Sequence, residues 1–178
     1  MSHDVSEILI GSDEIRRAVG RLAAEVDRDL DGRPGLLVGV LKGGAFFLCD
    51  LARAMRSCVA IDFLRVSSYG AGTRSWGNVQ VVHDLSVDIA GKDVVLVEDI
   101  VDSGATLAHI LELLATRKPR TLKVCTMLRK NLAGARAVPV DYVGFEIEDR
   151  FVVGYGLDFA ESYRNLPHVA VLREEKDG

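Results

Sequence analysis

Two adjacent carboxylates, Glu98 and Asp99, stand just ahead of a run of small residues, Asp102-Ser103-Gly104-Ala105-Thr106. Small residues at a helix start offer free backbone N–H groups and the positive end of the helix dipole to an anion. Gly104 lets the backbone approach that anion closely, and Ser103 and Thr106 add hydroxyl donors. The acid pair suits two vicinal hydroxyls, or a divalent cation, beside a bound phosphate. The flanking residues supply the positioning elements. Val94-Val95-Leu96-Val97 reads as a buried strand, and Leu107, Ile110, Leu111 and Leu114 follow helical spacing. The order is therefore strand, acid pair, phosphate-sized loop, helix. Ligands of open α/β sheets bind at such strand ends, whereas a plain strand–turn–helix gives the acid pair no purpose. A Walker A loop is excluded because no Gly-Lys-Ser/Thr follows, and no G-x-G-x-x-G dinucleotide fingerprint is present.

Four further segments carry chemistry. Leu41-Lys42-Gly43-Gly44 ends a second apolar run, Leu36 to Leu41, and offers a cation and backbone donors to another anion. An ordinary strand-to-helix turn with a solvated lysine is the alternative, but two phosphate cradles suit a substrate carrying both a phosphate and a pyrophosphate. Ser67 to Asn78 is glycine-rich, contains Ser68, Tyr69 and the only tryptophan, Trp76, and reads as a lid or else as a hairpin loop. Met127-Leu128-Arg129-Lys130 ends a strand in two cations. By default such a cation is a solvated surface charge; in a pocket Lys130, which has only donors, would favour a 6-oxo over a 6-amino purine. Last come FVVGYGLD (151–158) and YRNLP (163–167). Phe151 can stack on a planar base or pack in the core. Asp158 can hold a hydrated Mg²⁺ and Arg164 can clamp pyrophosphate, or the two can form a surface ion pair.

The elements alternate between strand and helix patterns, which predicts an α/β fold with a mainly parallel sheet. Ser12 is expected to cap a first helix with Ile15, Val19, Leu22, Val26 and Leu30 on one face. The part after residue 150 looks irregular and fits a cap over the sheet. The 178 residues suit one domain, and 48% hydrophobic content excludes global disorder. A net charge of −4 gives no footprint for a nucleic-acid binder. No run of about 18 apolar residues predicts a membrane span. No signal peptide is evident at the N-terminus, and Glu174 to Gly178 read as a solvated tail. Cys49, Cys58 and Cys125 fit no zinc spacing and are expected as buried hydrophobes of a reducing cytosol.

The segments LKGG, SSYGAGT, VEDIVDSGAT, the strand ending in Lys130, VGFEI, FVVGYGLD and YRNLP, in this order from about Ile8 to Leu172, resemble the type I phosphoribosyltransferases. Lys130, FVVGYGLD and YRNLP narrow the resemblance to the hypoxanthine(-guanine) branch. Two departures stand out. Ser103 replaces a frequent threonine and keeps its hydroxyl, and Glu148 replaces a common proline after VGFEI.

The resemblance implies one domain over residues 1–178: a central sheet flanked by helices, with a small hood built from the N-terminal segment and the residues after about 130. It implies transfer of the 5-phosphoribosyl group from phosphoribosyl pyrophosphate to hypoxanthine, and to guanine. Glu98 and Asp99 would hold the ribose hydroxyls with Mg²⁺ nearby, and Asp158 would bind Mg²⁺ through water. The backbone from Asp102 through Ser103, Gly104 and Ala105 to Thr106 would hold the 5′-phosphate, with Asp102 taking the imidazole proton of the base. Lys130 would bind the 6-oxo group, Phe151 would stack, and the Val152 backbone would read the base edge. Lys42, Gly43 and Arg164 would hold pyrophosphate while Ser68 and Tyr69 close the lid. A cis Leu41–Lys42 peptide, a cytoplasmic location and a homo-oligomer, dimer or tetramer, are also implied. Adenine and orotate are disfavoured by Lys130 and FVVGYGLD; hypoxanthine, guanine and xanthine stay open. A regulator of this fold that binds nucleic acid is the rival reading. It would need a basic excess or an extra domain, and the sequence has neither.

Overall fold

The computed structural model describes residues 5–68, 79–132 and 137–172. The lid reading falls outside these from Tyr69 onward, Trp76 included, as does the tail after Leu172. The described residues form nine strands and three helices. The main sheet takes β2 (Gly35–Val40), β3 (Val59–Ser68), β4 (Val79–His83), β5 (Asp93–Val101), β6 (Thr121–Lys130) and β7 (Tyr142–Ile147) in the order β4-β3-β2-β5-β6-β7. All neighbours pair in parallel except the edge pair β3–β4.

The central strands are apolar on both faces because helices cover both sides. Leu37, Val95, Val97, Cys125 and Met127 pack with α1 (Ser12–Leu30) and α2 (Gly44–Ala54). Their sequence neighbours Leu36, Val38, Val94, Leu96 and Val124 face the other way, against Leu107, Ile110 and Leu114 of α3 (Ala105–Ala115). Helix α1 buries the expected stripe, and each of its large aliphatic side chains contributes roughly 1.5–3 kcal/mol by leaving water. Its cap is Gly11 rather than Ser12: the Gly11 N–H donates to Glu14 Oε2 at 2.8 Å, and the Gly11 carbonyl accepts from Glu14 and Ile15.

A second, three-stranded antiparallel sheet joins β1 (Val5–Ile10), β9 (Val169–Leu172) and β8 (Val152–Val153) in that order. This is the hood, and it does unite the chain ends. Its boundary lies beyond Ile147 rather than near residue 130, because β7 pairs with β6 and completes the main sheet. The cysteine expectation holds for Cys125 alone, since Cys49 and Cys58 are exposed. Cys49 faces away from the buried stripe of α2, which is Gly44, Phe47, Leu48 and Leu51, and Cys58 lies in the turn before β3. Among the described residues no helix is long and apolar enough to cross a membrane.

At the opposite end of the sheet from the acid pair, buried Asp93 closes the fold. Its carboxylate accepts from Arg120, from Thr121 Oγ1 at 2.9 Å and from Arg33 Nε at 3.1 Å. The Arg120 hydrogen bonds hold it well below the usual carboxylate range against the opposing effect of burial, with Thr121 and Arg33 adding. A depressed carboxylate stabilises the fold above its unfolded-state pKa of about 3.9 and loses that contribution as pH falls toward its folded value. Asp93→Asn should therefore cost about 1–3 kcal/mol at pH 7. Urea denaturation should show a smaller difference from the parent at pH 3. Equal destabilisation at the two pH values would remove the Asp93 charge as the cause.

Candidate functional site

The strand order reverses between β2 and β5: from β2 the chain crosses to β3 on one side, and β5 lies on the other. Ligands of open α/β sheets bind at such a switch point, outside the C-terminal strand ends. The ends that meet here are LKGG after β2 and Glu98-Asp99 on the last turn-ward residues of β5. The two cradles read from the sequence are therefore neighbours in space. Gly43 and Gly44 make this possible. A Cβ on Gly43 would stand 1.6 Å from Asp99 Oδ2, and one on Gly44 would stand 2.9 Å from the Val97 carbonyl oxygen. The Leu41–Lys42 peptide is cis, as the resemblance implies.

Glu98 is buried, and burial pushes its carboxyl well above the usual range, with the Asp99 charge adding to the effect. Burial also raises Asp99; hydrogen bonds from backbone N–H groups and the Arg164 charge oppose this, and Asp158 reinforces it. Two buried like charges side by side are relieved by a cation, a proton or a ring of donors. Past β5 the chain turns through Asp102 and Ser103 to Gly104, which adopts φ +77° and starts α3. Glu98, Ile100, Asp102, Ser103, Gly104 and Thr106 line a small pocket over that helix start. Its walls offer backbone donors and hydroxyls to one phosphate-sized group.

The turn after β8 closes the site from above. Gly156, at φ +101°, packs so tightly on the LKGG loop that a Cβ would lie 2.2 Å from the Gly43 oxygen. Tyr155 donates its hydroxyl to Asp50 of α2 at 2.9 Å and fixes this contact. Arg164 Nη1 donates to the Gly156 oxygen at 2.7 Å while Nη2 pairs with Asp158 Oδ1 at 2.7 Å. Lys42 Nζ pairs with Glu161 Oε2 at 2.6 Å. The two cations read as a pyrophosphate clamp thus stand on one rim, over Asp99.

The corner expected to take a base lies at the end of β6, at Lys130. Lys130 Nζ is 3.0 Å from Asp149 Oδ1 and 3.4 Å from Asp102 Oδ2. Burial works against its charge, but the Asp149 and Asp102 carboxylates outweigh that, so its pKa lies above the ordinary lysine value. Phe151 is 48% exposed, unusual for its size, and meets Phe159 edge-on with centroids 5.7 Å apart. Val152 is buried in β8 opposite Val171, which fixes its backbone in the small sheet.

The structure gathers Lys42, Gly43, Glu98, Asp99, Asp102 to Thr106, Lys130, Asp158 and Arg164 around one switch point. Ser68 ends β3, on the same edge of the sheet, and Tyr69 lies outside the described residues. Glu98, Asp99 and Asp158 do not form a three-carboxylate cage: among the described residues no group of three or more His, Cys, Asp or Glu can hold a metal by itself. Asp158 is engaged by Arg164 and by the Glu161 N–H instead. The sequence reading missed Asp149 and Glu161, the counter-ions of Lys130 and Lys42. The only signal for Glu161 was a charge at every third position, Asp158, Glu161 and Arg164.

The chain is similar to known proteins in sequence and in fold. Residues 7–160 match the phosphoribosyl transferase domain. The hypoxanthine-guanine phosphoribosyltransferase of Bacillus subtilis (strain 168) is 43% identical over 173 residues, covering 97% of this chain and 96% of that protein. A bifunctional protein TilS/HprT of Listeria innocua is 43% identical over 175 residues, 98% of this chain, and this chain spans 27% of that protein's length. A crystal structure of a hypoxanthine-guanine phosphoribosyltransferase from Bacillus anthracis matches with a TM-score of 0.91 at 41% identity, covering 96% of this chain and 100% of that one. The chain belongs to the phosphoribosyl transferase family, in the group of the hypoxanthine-guanine phosphoribosyltransferases.

Proposed function

We propose that this chain, as a single phosphoribosyltransferase domain, moves the 5-phosphoribosyl group from phosphoribosyl pyrophosphate to hypoxanthine or guanine in the cytoplasm, as a homo-oligomer. The observation that carries the reading is the meeting of three cradles at one switch point: the 102–106 loop, the Lys42–Arg164 rim and the Lys130 corner. Each suits one part of the reaction: 5′-phosphate, pyrophosphate and 6-oxopurine.

In this reading the loop from Asp102 to Thr106 anchors the 5′-phosphate, and Glu98 and Asp99 accept from the ribose hydroxyls. Phe151 stacks on the purine, the Val152 backbone reads its edge, and Lys130 donates to the 6-oxygen. The C1′–O bond to pyrophosphate breaks with its electron pair as the bond from C1′ to the purine nitrogen forms. Asp102 takes the proton carried by the purine's imidazole ring and passes it to water. Lys42 and Arg164 meet the charge that builds on the leaving oxygen. In the same reading Ser68 and Tyr69 close over the pyrophosphate. The buried acid pair with Asp158 nearby fits Mg²⁺, which keeps most of its waters and binds through a few carboxylates and substrate phosphates. When bound it would neutralise pyrophosphate charge.

Purified protein given phosphoribosyl pyrophosphate, hypoxanthine and Mg²⁺ should form inosine monophosphate, followed by absorbance. Chelation of divalent ions should abolish the reaction. Adenine should compete at least roughly tenfold less well than hypoxanthine, because its amino group sets donor against the Lys130 donor. Undiminished turnover without divalent ions, or adenine binding as tight as hypoxanthine, would contradict these assignments.

A further inference from the structure

Glu161 pairs with both cations of the Lys42–Arg164 rim. Its Oε2 lies 2.6 Å from Lys42 Nζ and its Oε1 lies 3.7 Å from Arg164 Nη2. Lys42 stands 119 positions away in sequence, so the contact is made by the fold and not by local chain geometry. The turn that delivers Glu161 is unusual. Ala160, Glu161 and Tyr163 all adopt positive φ, at 49°, 64° and 75°. Non-glycine residues enter that region only where surroundings impose it, and such outliers cluster at ligand clamps. Here Phe159 and Ser162 exchange two backbone hydrogen bonds, and the Glu161 N–H donates to Asp158 Oδ2 at 2.9 Å. With Arg164 drawn toward Asp158 and Glu161, its Nε is buried without an acceptor among the described residues. The Glu161 side chain is 66% exposed.

Resting on the assignment of Lys42 and Arg164 to pyrophosphate, we propose that Glu161 is an internal surrogate for pyrophosphate, bound to the same donors and exchanged with it at each turnover. A carboxylate and a pyrophosphate oxygen ask for the same N–H groups. Binding of the inorganic anion must therefore displace Glu161, and Glu161 competes for the rim as the product leaves. The device weakens pyrophosphate and leaves the base corner untouched, because Lys130 and Phe151 take no part in it.

The test is the affinity of the full chain for inorganic pyrophosphate with Mg²⁺, by calorimetry and as a product-inhibition constant. An ion pair this exposed is a weak competitor, so E161Q should bind pyrophosphate roughly two- to fivefold more tightly. The KM for hypoxanthine should not change. E161D keeps the charge but is one methylene shorter, and should fall between the two. K42M should weaken pyrophosphate, and the gain from E161Q should shrink in K42M/E161Q, because the nearer of the two competed donors is gone while Arg164 remains. Unchanged or weaker pyrophosphate binding by E161Q, with K42M still weakened, overturns the surrogate role alone. Should K42M bind pyrophosphate as the parent does, the assignment of Lys42 falls, and the surrogate role with it. Thermal melting of each variant separates a loss of fold from a loss of binding.

Discussion

Asp102→Asn should lower kcat by about 10²–10⁴-fold while the KM for phosphoribosyl pyrophosphate stays within a few-fold of the parent. The substitution is isosteric, and the phosphate cradle beside it is made of backbone N–H groups, Ser103, Gly104 and Thr106, none of which changes. An amide cannot take the proton of the attacking purine, so the loss falls on the chemical step. Lys130 loses one counter-ion but keeps Asp149 at 3.0 Å, so discrimination against adenine should survive in the variant. Asp102→Ala would also open space in the loop and mix the two effects. Steady-state kinetics with both substrates varied separate them. A kcat within threefold of the parent would place the base elsewhere.

What could be read in the chain beforehand was whatever short-range pattern encodes. The strand, acid pair, small-residue loop and helix from Val94 to Leu114 are contiguous, so their order already fixes their geometry. The stripe of α1 is equally local. Of the hood strands only β8 was legible, as a short extended piece from Phe151 to Val153; β1 and β9 were not. Residues of β1 from Val5 to Glu7 are exposed and alternate weakly, and its partner residues in β9 lie 159 to 167 positions away. The same limit hid the counter-ions. Asp149 and Glu161 sit in irregular segments where a carboxylate is ordinarily solvated, and only the fold brings them to Lys130 and Lys42. The cysteines show the reverse error. An apolar neighbourhood in sequence put Cys49 inside, yet one step around a helix is enough to turn it outward.

The switch point also explains why glycine is required at position 43, and the second large effect follows from it. Gly43 has φ −60° and ψ −46°, a conformation any residue adopts, so its backbone freedom is not at stake. Space is. A Cβ there would lie 1.6 Å from Asp99 Oδ2, 2.5 Å from Asp99 Cγ and 3.2 Å from Oδ1. Gly43→Ala must therefore drive the Asp99 carboxylate from its seat, where the Ile100 N–H donates to Oδ1 at 2.9 Å. If Asp99 accepts from the ribose hydroxyls as proposed, its displacement removes charge-assisted hydrogen bonds of about 1.5–3 kcal/mol, roughly 10- to 150-fold in kcat/KM for phosphoribosyl pyrophosphate. The KM for hypoxanthine should move little, since Lys130 and Phe151 lie at a different strand end. A stability measurement isolates the cause. If the clash is with Asp99, the melting-temperature cost of Gly43→Ala should largely disappear in an Asp99→Ala background, because the offending atoms are gone. A cost that persists undiminished in the double variant would mean that the alanine instead disturbs the Gly156 contact above it, where the Gly43 oxygen is already pressed by the turn after β8.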